Sequence, residues 1–434
     1  MADTRHSTVR RATPHPVVFA LMVVAVLLST GALLSIRSPT NPLEVGAVEH
    51  SGDSVNQAIW GLMYVSSGAL LAASGRIASV LRRVPVVTWV LLAIAVASPL
   101  WSADPPTSIR RLLALGGSTV VGLYLGANVD RRTLLRISAW AAAVAVVLSL
   151  VAGLAFPSIG IAQDVRGPMW RGVFSHKSTL GVIMSWSIGV TLLAAATRRG
   201  VARGAWVAVA VGAAVLLVLS GSRTGAIVLP AAALGTLALI RTARLPRTLG
   251  LGIIFVTVPV LVTLTLALFL NLDAVTGALG RDVTLTGRST IWEAVWPSIM
   301  HQPWLGYGYD AFWGGPSSPA RAVWARLGIG LGVTEFRPSS AHDAWLNLWL
   351  QLGVGAVVTF AITLAIAIRR AVRAARVDRG PATAAPVLFL LVYLCFTTVE
   401  GAMLTPNSVF WVLLVAYLVQ PEPMEIVAVT SDPS

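Results

Sequence analysis

Apolar and polar stretches alternate along most of this 434-residue chain, and each apolar stretch is close to the length of one membrane-spanning helix. An α-helix needs about 20 apolar residues to cross a hydrocarbon core of about 30 Å. The pattern predicts twelve such segments, at residues 17–36, 57–75, 84–101, 112–128, 135–156, 179–197, 204–220, 224–240, 248–270, 345–368, 384–401 and 406–420. The predicted fold class is therefore an all-α polytopic membrane protein with about twelve transmembrane helices.

The ninth and tenth apolar segments are separated by a long polar interruption at residues 271–344. Connections in compact proteins usually have about 4–6 residues, so a loop of this length is either functional or disordered. Its tryptophans and two helix-start patterns, Thr290-x-x-Glu293 and Ser340-x-x-Asp343, argue against disorder. We expect one large loop that carries short helices and the active face of the protein.

The arginines predict the orientation, because cytoplasmic loops of membrane proteins are enriched in Lys and Arg. With the N-terminus inside, every inner connection is basic, whereas the short outer loops are acidic. The inner sites are Arg76, Arg82, Arg83, Arg131, Arg132, Arg136, Arg198, Arg199, Arg203, Arg241, Arg244, Arg247, Arg369, Arg370, Arg373, Arg376 and Arg379; the outer sites are Glu44, Glu49, Asp53 and Asp104. The predicted organisation is a cytoplasmic tail at 1–16, helices over 17–270, an extracytoplasmic loop at 271–344, helices over 345–420 and a cytoplasmic tail at 421–434.

The amino-acid composition also indicates a membrane protein and not a soluble one. Hydrophobic residues make up 56% of the chain and charged residues only 12%, with a mean hydropathy of +0.78; soluble domains have about 25% charged residues. The net charge of +14 lies mainly on the predicted cytoplasmic rim, which suits anionic lipid and argues against nucleic acid. The one cysteine, Cys395, allows no disulfide within the chain. The first apolar run resembles a signal peptide but is long and has no clear small-x-small cleavage site, so we interpret it as a membrane anchor.

Six basic residues on the predicted outer face depart from the positive-inside trend: Arg166, Arg171, Lys177, Arg223, Arg281 and Arg288. Arg223 lies in the tight turn 220–225 and either snorkels to the interface or binds an anion. We favour anion binding, because a cation inside a span costs about 2.5–3.5 kcal/mol and the turn leaves it little room. Arg288 lies beside the helix start predicted at Thr290, where a guanidinium and free backbone N–H groups suit a phosphate. A solvated loop arginine is the alternative.

His342 lies at the entry to the tenth segment. The dipole at a helix start disfavours imidazolium, so we predict a neutral ring that can accept a proton; an ordinary histidine near a helix cap is the alternative. Residues 170–178 precede the sixth segment and either bind a phosphate or sugar or contact lipid headgroups. The tryptophans of the loop, Trp292 among them, either stack on sugars or anchor the interface.

Several chemical classes have no motif in the chain. It contains no Asp-x-Asp metal motif, Walker loop or His-Glu-x-x-His, and Gly306-x-Gly308 lacks the strand context of a dinucleotide site. We therefore expect neither a metal nor an organic cofactor, and no nucleotide-sugar donor.

A series of motifs, taken in order, resembles the O-antigen ligase and polymerase superfamily. They are Trp101-Ser102-Ala103-Asp104-Pro105 with Ser108-Ile109-Arg110-Arg111, Gly172-Val173-Phe174-Ser175-His176-Lys177, Ser220-Gly221-Ser222-Arg223-Thr224, Gly287-Arg288-x-x-Ile291-Trp292, Pro303-x-x-Gly306-x-Gly308 and His342-Asp343-x-x-Leu346. The run 279–288 is most similar to the exopolysaccharide-polymerase branch. The resemblance extends over about residues 84–356, with a ligase-like core at about 204–368.

The resemblance implies a GT-C-like membrane glycosyltransferase that acts at the outer face of the inner (plasma) membrane on a polyprenyl-diphosphate-linked oligosaccharide. The functional arginines and histidine of the family correspond to Arg223 and Arg288, which stabilise the diphosphate, and His342, the general base. The predicted substrate-binding residues are Arg171, His176, Lys177, Arg281, Asp343 and Trp292. Ser178 and Asp343 stand where the family commonly has Asn, and Asp343 could orient His342 or make it more basic.

The predicted reaction is transfer of the glycan to an acceptor hydroxyl during exopolysaccharide polymerisation. A ligase that attaches the glycan to a lipid, wall polymer or protein is the alternative within the family. A lipid-linked oligosaccharide flippase or transporter is the alternative from another class, and it predicts internal repeats and charges at the bilayer midplane. Expected partners are the lipid-linked donor, a glycan or lipid-glycan acceptor and membrane lipid, with a chain-length regulator or export protein as a further candidate.

Overall fold

The computed structural model describes residues 14–33, 54–164, 167–242, 286–314, 318–331, 338–378, 380–398, 400 and 403–421. Its helices in chain order are α1 (Pro16–Ser29), α2 (Ser54–Ala73), α3 (Ile77–Arg83), α4 (Val86–Ala97), α5 (Pro105–Asn128), α6 (Arg131–Ala155), α7 (Pro157–Gly160), α8 (Lys177–Ala196), α9 (Gly200–Leu219), α10 (Arg223–Thr242), α11 (Thr286–His301), α12 (Ala320–Leu331), α13 (Ala344–Val377), α14 (Pro381–Thr397) and α15 (Val409–Val419). One antiparallel hairpin, β1 (Ile161–Asp164) and β2 (Gly167–Trp170), interrupts the helical chain. The expectation of an all-α chain overlooked this hairpin.

Four helices, α6, α8, α9 and α13, are long and apolar enough to cross a membrane. The bent pair α2 and α3, which meet at 107°, would make a fifth. Shorter apolar helices cover the segments predicted at 17–36, 84–101, 224–240, 384–401 and 406–420. The segment predicted at 248–270 lies outside the described residues. The described part of the chain is thus mainly helical and membrane-like, and the total of twelve crossings stays a prediction.

Small residues let neighbouring helices approach closely in the bundle. On α5, a Cβ atom at Gly122 would lie 2.7 Å from the carbonyl oxygen of Val412, and one at Gly126 would lie 2.4 Å from that of Ala416. A small-x-x-x-small pattern of this kind favours tight helix packing in lipid, where apolar burial alone drives little association. The pattern therefore explains why α5 lies directly against α15.

The helix α13 contains a sharp break at Gly353, where φ is +76°. A break of this kind leaves carbonyl groups without their usual helical partners. The segment 303–308 donates hydrogen bonds to two of these carbonyls. The Tyr307 N–H donates to the Leu350 carbonyl at 2.8 Å, and the Gly308 N–H donates to the Gln351 carbonyl at 2.9 Å. The Pro303-x-x-Gly306-x-Gly308 motif is therefore part of the fold, where it fills the break in α13.

The last helix, α15, is too short to cross a bilayer by itself. Its 11 residues span about 16 Å, roughly half of a hydrocarbon core. Just before it, Asn407 has φ of +60° and its N–H donates to Ser118 Oγ, in the middle of α5, at 2.8 Å. The residues just before α15 thus contact α5, and the segment predicted at 406–420 becomes helical only from Val409.

The described part of the long polar loop contains α11 and α12, which pack on a small apolar cluster around Val295 and Phe312. Both predicted helix starts are corrected. The helix α11 begins at Thr286, so Thr290 lies inside it and the capping box predicted there is wrong. The helix α13 is capped by Asp343, whose side chain accepts from the Leu346 N–H, and not by Ser340.

Candidate functional site

The predicted residues Arg288 and His342 meet at a carboxylate that the sequence analysis had not selected. Glu400 lies after the end of α14, and its side chain is 14% exposed. Its Oε1 lies 2.9 Å from the Arg288 Nη2, and its Oε2 lies 3.5 Å from the His342 Nδ1. The Thr224 hydroxyl donates to the same Oε1 at 3.4 Å. Three separate segments of the chain therefore converge on the carboxylate of a fourth.

Glu400 is held in its ionised form. Burial by itself raises the pKa of this carboxyl, but the neighbouring His342 imidazole and Arg288 guanidinium outweigh it, and the pKa falls to about 2. The site therefore carries a fixed negative charge between a guanidinium and an imidazole. Such a carboxylate orients an imidazole and stabilises its protonated form.

The chain holds His342 in an uncommon backbone conformation, with φ of +50°. The His342 N–H donates to Ser340 Oγ at 3.2 Å, and the Trp292 indole N–H donates to the Ala341 carbonyl at 2.9 Å. The Ala341 N–H in turn donates to Asn347 Oδ1 at 3.0 Å. Trp292 thus lies beside the candidate base and positions its backbone; the predicted contact of this indole with substrate stays a prediction.

Asp343 lies at the start of α13, directly after His342, and its predicted contact with substrate stays a prediction. Its Oδ1 accepts from the Leu346 N–H at 2.8 Å and so caps α13, whereas the carboxylate against the His342 Nδ1 is that of Glu400. Burial raises the pKa of Asp343 to about 6, although two backbone hydrogen bonds and the Arg288 charge oppose the rise. Its ionisation therefore occurs near neutral pH.

Arg223 is the first residue of α10, next to Thr224, which contacts Glu400. The turn before it is shaped by Gly221, where φ is +58°, and by Ser222 Oγ, which accepts from the Gly225 N–H at 3.2 Å. The helix start that carries Arg223 is therefore adjacent to the Glu400 carboxylate.

The start of α8 lies close to this turn. A Cβ atom on Gly181 would lie 2.2 Å from the Ser222 Cβ, so the first turns of α8 and α10 are in contact. His176 caps α8 through its Nδ1, which accepts from the Ser178 N–H at 3.2 Å, and Lys177 is the first helical residue. The two predicted residues His176 and Lys177 are therefore at the same end of the bundle as Arg223.

Arg171 is less accessible than expected for a residue that contacts a ligand. It is 5% exposed, and its Nε donates to the Ile159 carbonyl at 2.8 Å. Burial lowers the pKa of this guanidinium. These contacts give Arg171 a structural position under the hairpin. Arg281 and Arg166 lie outside the described residues.

Within the described ranges, no group of three or more His, Cys, Asp or Glu side chains has the arrangement of a metal site. The groups that do converge are arginine, histidine, threonine and one glutamate. This donor set suits the binding of an anion together with proton transfer at the imidazole.

The comparisons with known proteins agree with the motifs. Residues 208–361 match the family model described as O-antigen ligase. A curated relative, the exopolysaccharide production protein ExoQ of Rhizobium meliloti (strain 1021), is 28% identical over 238 residues. The alignment covers 53% of this chain and 53% of the relative, so the chain spans about half the length of the curated protein that it matches. These matches support the resemblance seen in the motifs: over the matched residues the chain is similar to the O-antigen ligase family and to ExoQ.

Proposed function

We propose that this protein transfers a glycan from a polyprenyl-diphosphate-linked donor to an acceptor hydroxyl at the outer face of the membrane. The observation that carries the proposal is the meeting of Arg288 and His342 at the Glu400 carboxylate, with the Arg223 helix start adjacent. A cation for a leaving diphosphate and a base for an incoming hydroxyl are the two groups that this reaction needs.

The leaving group is stabilised by positive charge without a metal. Arg288 lies in the first turn of α11 and Arg223 begins α10, so each guanidinium accompanies a helix N-terminus. Helix N-termini bind phosphate through their unpaired N–H groups and their dipole, and arginine adds paired hydrogen bonds. As the bond between the anomeric carbon and the diphosphate oxygen breaks, the negative charge that forms on that oxygen is stabilised by these cations.

The nucleophile is activated by His342. With its Nδ1 directed to the Glu400 carboxylate, the neutral ring carries a proton on Nδ1 and a lone pair on Nε2. The Nε2 removes the proton of the acceptor hydroxyl while the acceptor oxygen forms the new bond to the anomeric carbon. Glu400 then stabilises the resulting imidazolium. General-base assistance of this kind contributes about 10²–10⁴-fold to a rate.

Polymerisation is the favoured role because the curated relative is named as an exopolysaccharide production protein. In that role the acceptor is a second lipid-linked glycan. A ligase would use the same donor chemistry with a lipid, wall polymer or protein as acceptor.

The test is a transfer assay with purified protein in nanodiscs and a synthetic polyprenyl-diphosphate oligosaccharide. We expect Arg288→Ala and Arg223→Ala to abolish transfer and His342→Ala to lower it at least about 100-fold. Arg321→Ala, an exposed arginine on α12, is the matched control and should keep full activity. Full activity of His342→Ala would remove the base assignment.

Glycan analysis of a knockout separates the alternatives. Loss of polymer length with exported single repeats indicates a polymerase. Unmodified acceptor together with free polymer indicates a ligase. Accumulation of lipid-linked units in the cytoplasm indicates a flippase and would contradict the proposal.

A further inference from the structure

Tyr309 is held at each of its polar groups by a different part of the bundle. Its N–H donates to Ser98 Oγ at 3.1 Å, and its carbonyl accepts from Ser108 Oγ at 2.7 Å. Its hydroxyl donates to the carbonyl of Leu404. Tyr309 is 1% exposed and both serines are fully buried. The residue therefore links the end of α4, the start of α5 and the segment before α15.

The backbone on both sides of Tyr309 is in the left-handed region, with φ of +96° at Gly308 and +57° at Asp310. This conformation is uncommon outside glycine and persists only where the surroundings impose it. Here the Asp310 carboxylate lies 2.6 Å from the Arg111 Nε, and the Asp310 N–H donates to Gln351 Oε1 at 3.2 Å. These two contacts thus hold Asp310 in an uncommon backbone conformation directly after Tyr309.

The Leu404 carbonyl belongs to the connection that carries Glu400, between the end of α14 at Thr397 and the start of α15 at Val409. Hydroxyl groups hold this connection from two sides: Tyr309 donates to Leu404, and Tyr393 donates to the Met403 carbonyl. The described residues that follow Glu400 are therefore held in part by a hydrogen bond from a distant segment.

The same segment also holds the helix that follows His342. The N–H groups of Tyr307 and Gly308 bind the Leu350 and Gln351 carbonyls at the break in α13. One short stretch of chain thus contacts both the helix that begins at the candidate base and the connection that carries its carboxylate.

We propose that Tyr309 is a positioning residue for glycan transfer, because its hydroxyl fixes the loop of Glu400 relative to the helix of His342. The proposal rests on the function proposed above. Tyr309 itself is buried and acts on the reaction only through these two segments.

The test compares Tyr309→Phe with Tyr307→Phe, which removes a hydroxyl two residues away that donates to the Ser298 carbonyl at 2.9 Å. Both variants keep the aromatic ring. We expect Tyr309→Phe to lower kcat per folded molecule at least about tenfold, with the donor KM changed by less than about twofold. Tyr307→Phe should keep the kcat of the parent protein. A merely structural role predicts instead that Tyr309→Phe lowers the amount of folded protein and leaves kcat per folded molecule unchanged, which would overturn the proposal.

A second measurement does not depend on activity. Amide hydrogen exchange at residues 403–408 should be at least about tenfold faster in Tyr309→Phe than in Tyr307→Phe, because a buried carbonyl has lost its donor. Equal exchange in the two variants contradicts the proposal. If the parent protein transfers no glycan while exchange differs as expected, the proposed function fails and the link from Tyr309 to the Glu400 loop stands.

Discussion

Replacing Glu400 with glutamine keeps the shape of the side chain and removes its charge beside Arg288 and His342. The carboxyl has a pKa of about 2 in the folded protein, against an ordinary value of 4.5. The interval between these two pKa values corresponds to about 3 kcal/mol in favour of the folded state when Glu400 is ionised. Glu400→Gln should therefore lower the free energy of unfolding by up to about 3 kcal/mol at pH 7, which is near the cost of breaking a buried ion pair.

The pH dependence of this loss tests its origin. Since the pKa of Glu400 is depressed by folding, its stabilisation is fully present above about pH 4.5 and is lost as the pH falls towards 2. Glutamine does not titrate. The difference between the parent protein and Glu400→Gln should therefore shrink from about 3 kcal/mol at pH 7 to about half of that or less at pH 3.

The assay is unfolding in mixed micelles, followed by tryptophan fluorescence at both pH values. Glu293→Gln is the matched control, because Glu293 is an exposed glutamate on α11, the helix that carries Arg288. It should leave stability unchanged within about 0.5 kcal/mol. The reasoning is refuted if the two variants are equally stable at pH 7, or if the loss in Glu400→Gln is the same at pH 7 and pH 3.

Three further changes test the surroundings of the site. Asp343→Asn keeps a side-chain oxygen that can cap α13. Burial raises the pKa of Asp343 from 3.8 to about 6, so the ionised carboxylate destabilises the folded parent protein. The variant should therefore have a free energy of unfolding up to about 3 kcal/mol above that of the parent protein above pH 6, and no advantage below pH 3.8. No gain at pH 7.5 relative to pH 3.5 would contradict this. Gly353→Ala should give no folded protein by size-exclusion chromatography in detergent, because a Cβ atom there would lie 1.9 Å from a backbone oxygen. Gly355→Ala is the control and should fold normally, because the nearest atom to its Cβ would be 3.9 Å away. Trp292→Phe removes the indole N–H that donates to the Ala341 carbonyl, and it should lower transfer about tenfold with little loss of folded protein. Unchanged turnover would show that this hydrogen bond is not needed to position His342.

The positions of the helices were largely predictable because hydrophobic runs of membrane length are a strong signal. The helix α13 begins at Ala344, against a predicted boundary of 345, and α8 begins at Lys177, against 179. Local capping patterns were less reliable. The start of α11 at Thr286 lies four residues before the capping box expected at Thr290, because tertiary contacts of the first turn, such as that of Arg288, override a local preference.

The composition of the site was predictable only in part. The sequence indicates Arg288 because it lies beside a predicted helix start and departs from the positive-inside pattern, and it indicates His342 because that residue lies at the entry to the tenth segment. Glu400 is 112 positions from Arg288 in the chain, so no local pattern joins the two. One signal was present: a single carboxylate at the end of an apolar segment is costly in a membrane and usually marks a functional pairing. The sequence analysis weighs the cost of a charge in the membrane only for arginines. The same criterion, used for acidic residues, indicates Glu400.

The arrangement around Glu400 also resolves a difficulty in placing cations for a diphosphate inside a membrane protein. A partly buried cation in the bundle is unfavourable when no substrate is bound, unless a counter-ion is present. Glu400 provides that counter-ion at 2.9 Å from the Arg288 Nη2. A guanidinium has five N–H donors in a planar fork, so contact with a carboxylate at one edge is compatible with contact with a phosphate at another. The same carboxylate faces the His342 Nδ1, so the residue that makes the arginine tolerable also orients the base. This double use explains why a single acidic side chain lies where four segments of the chain meet.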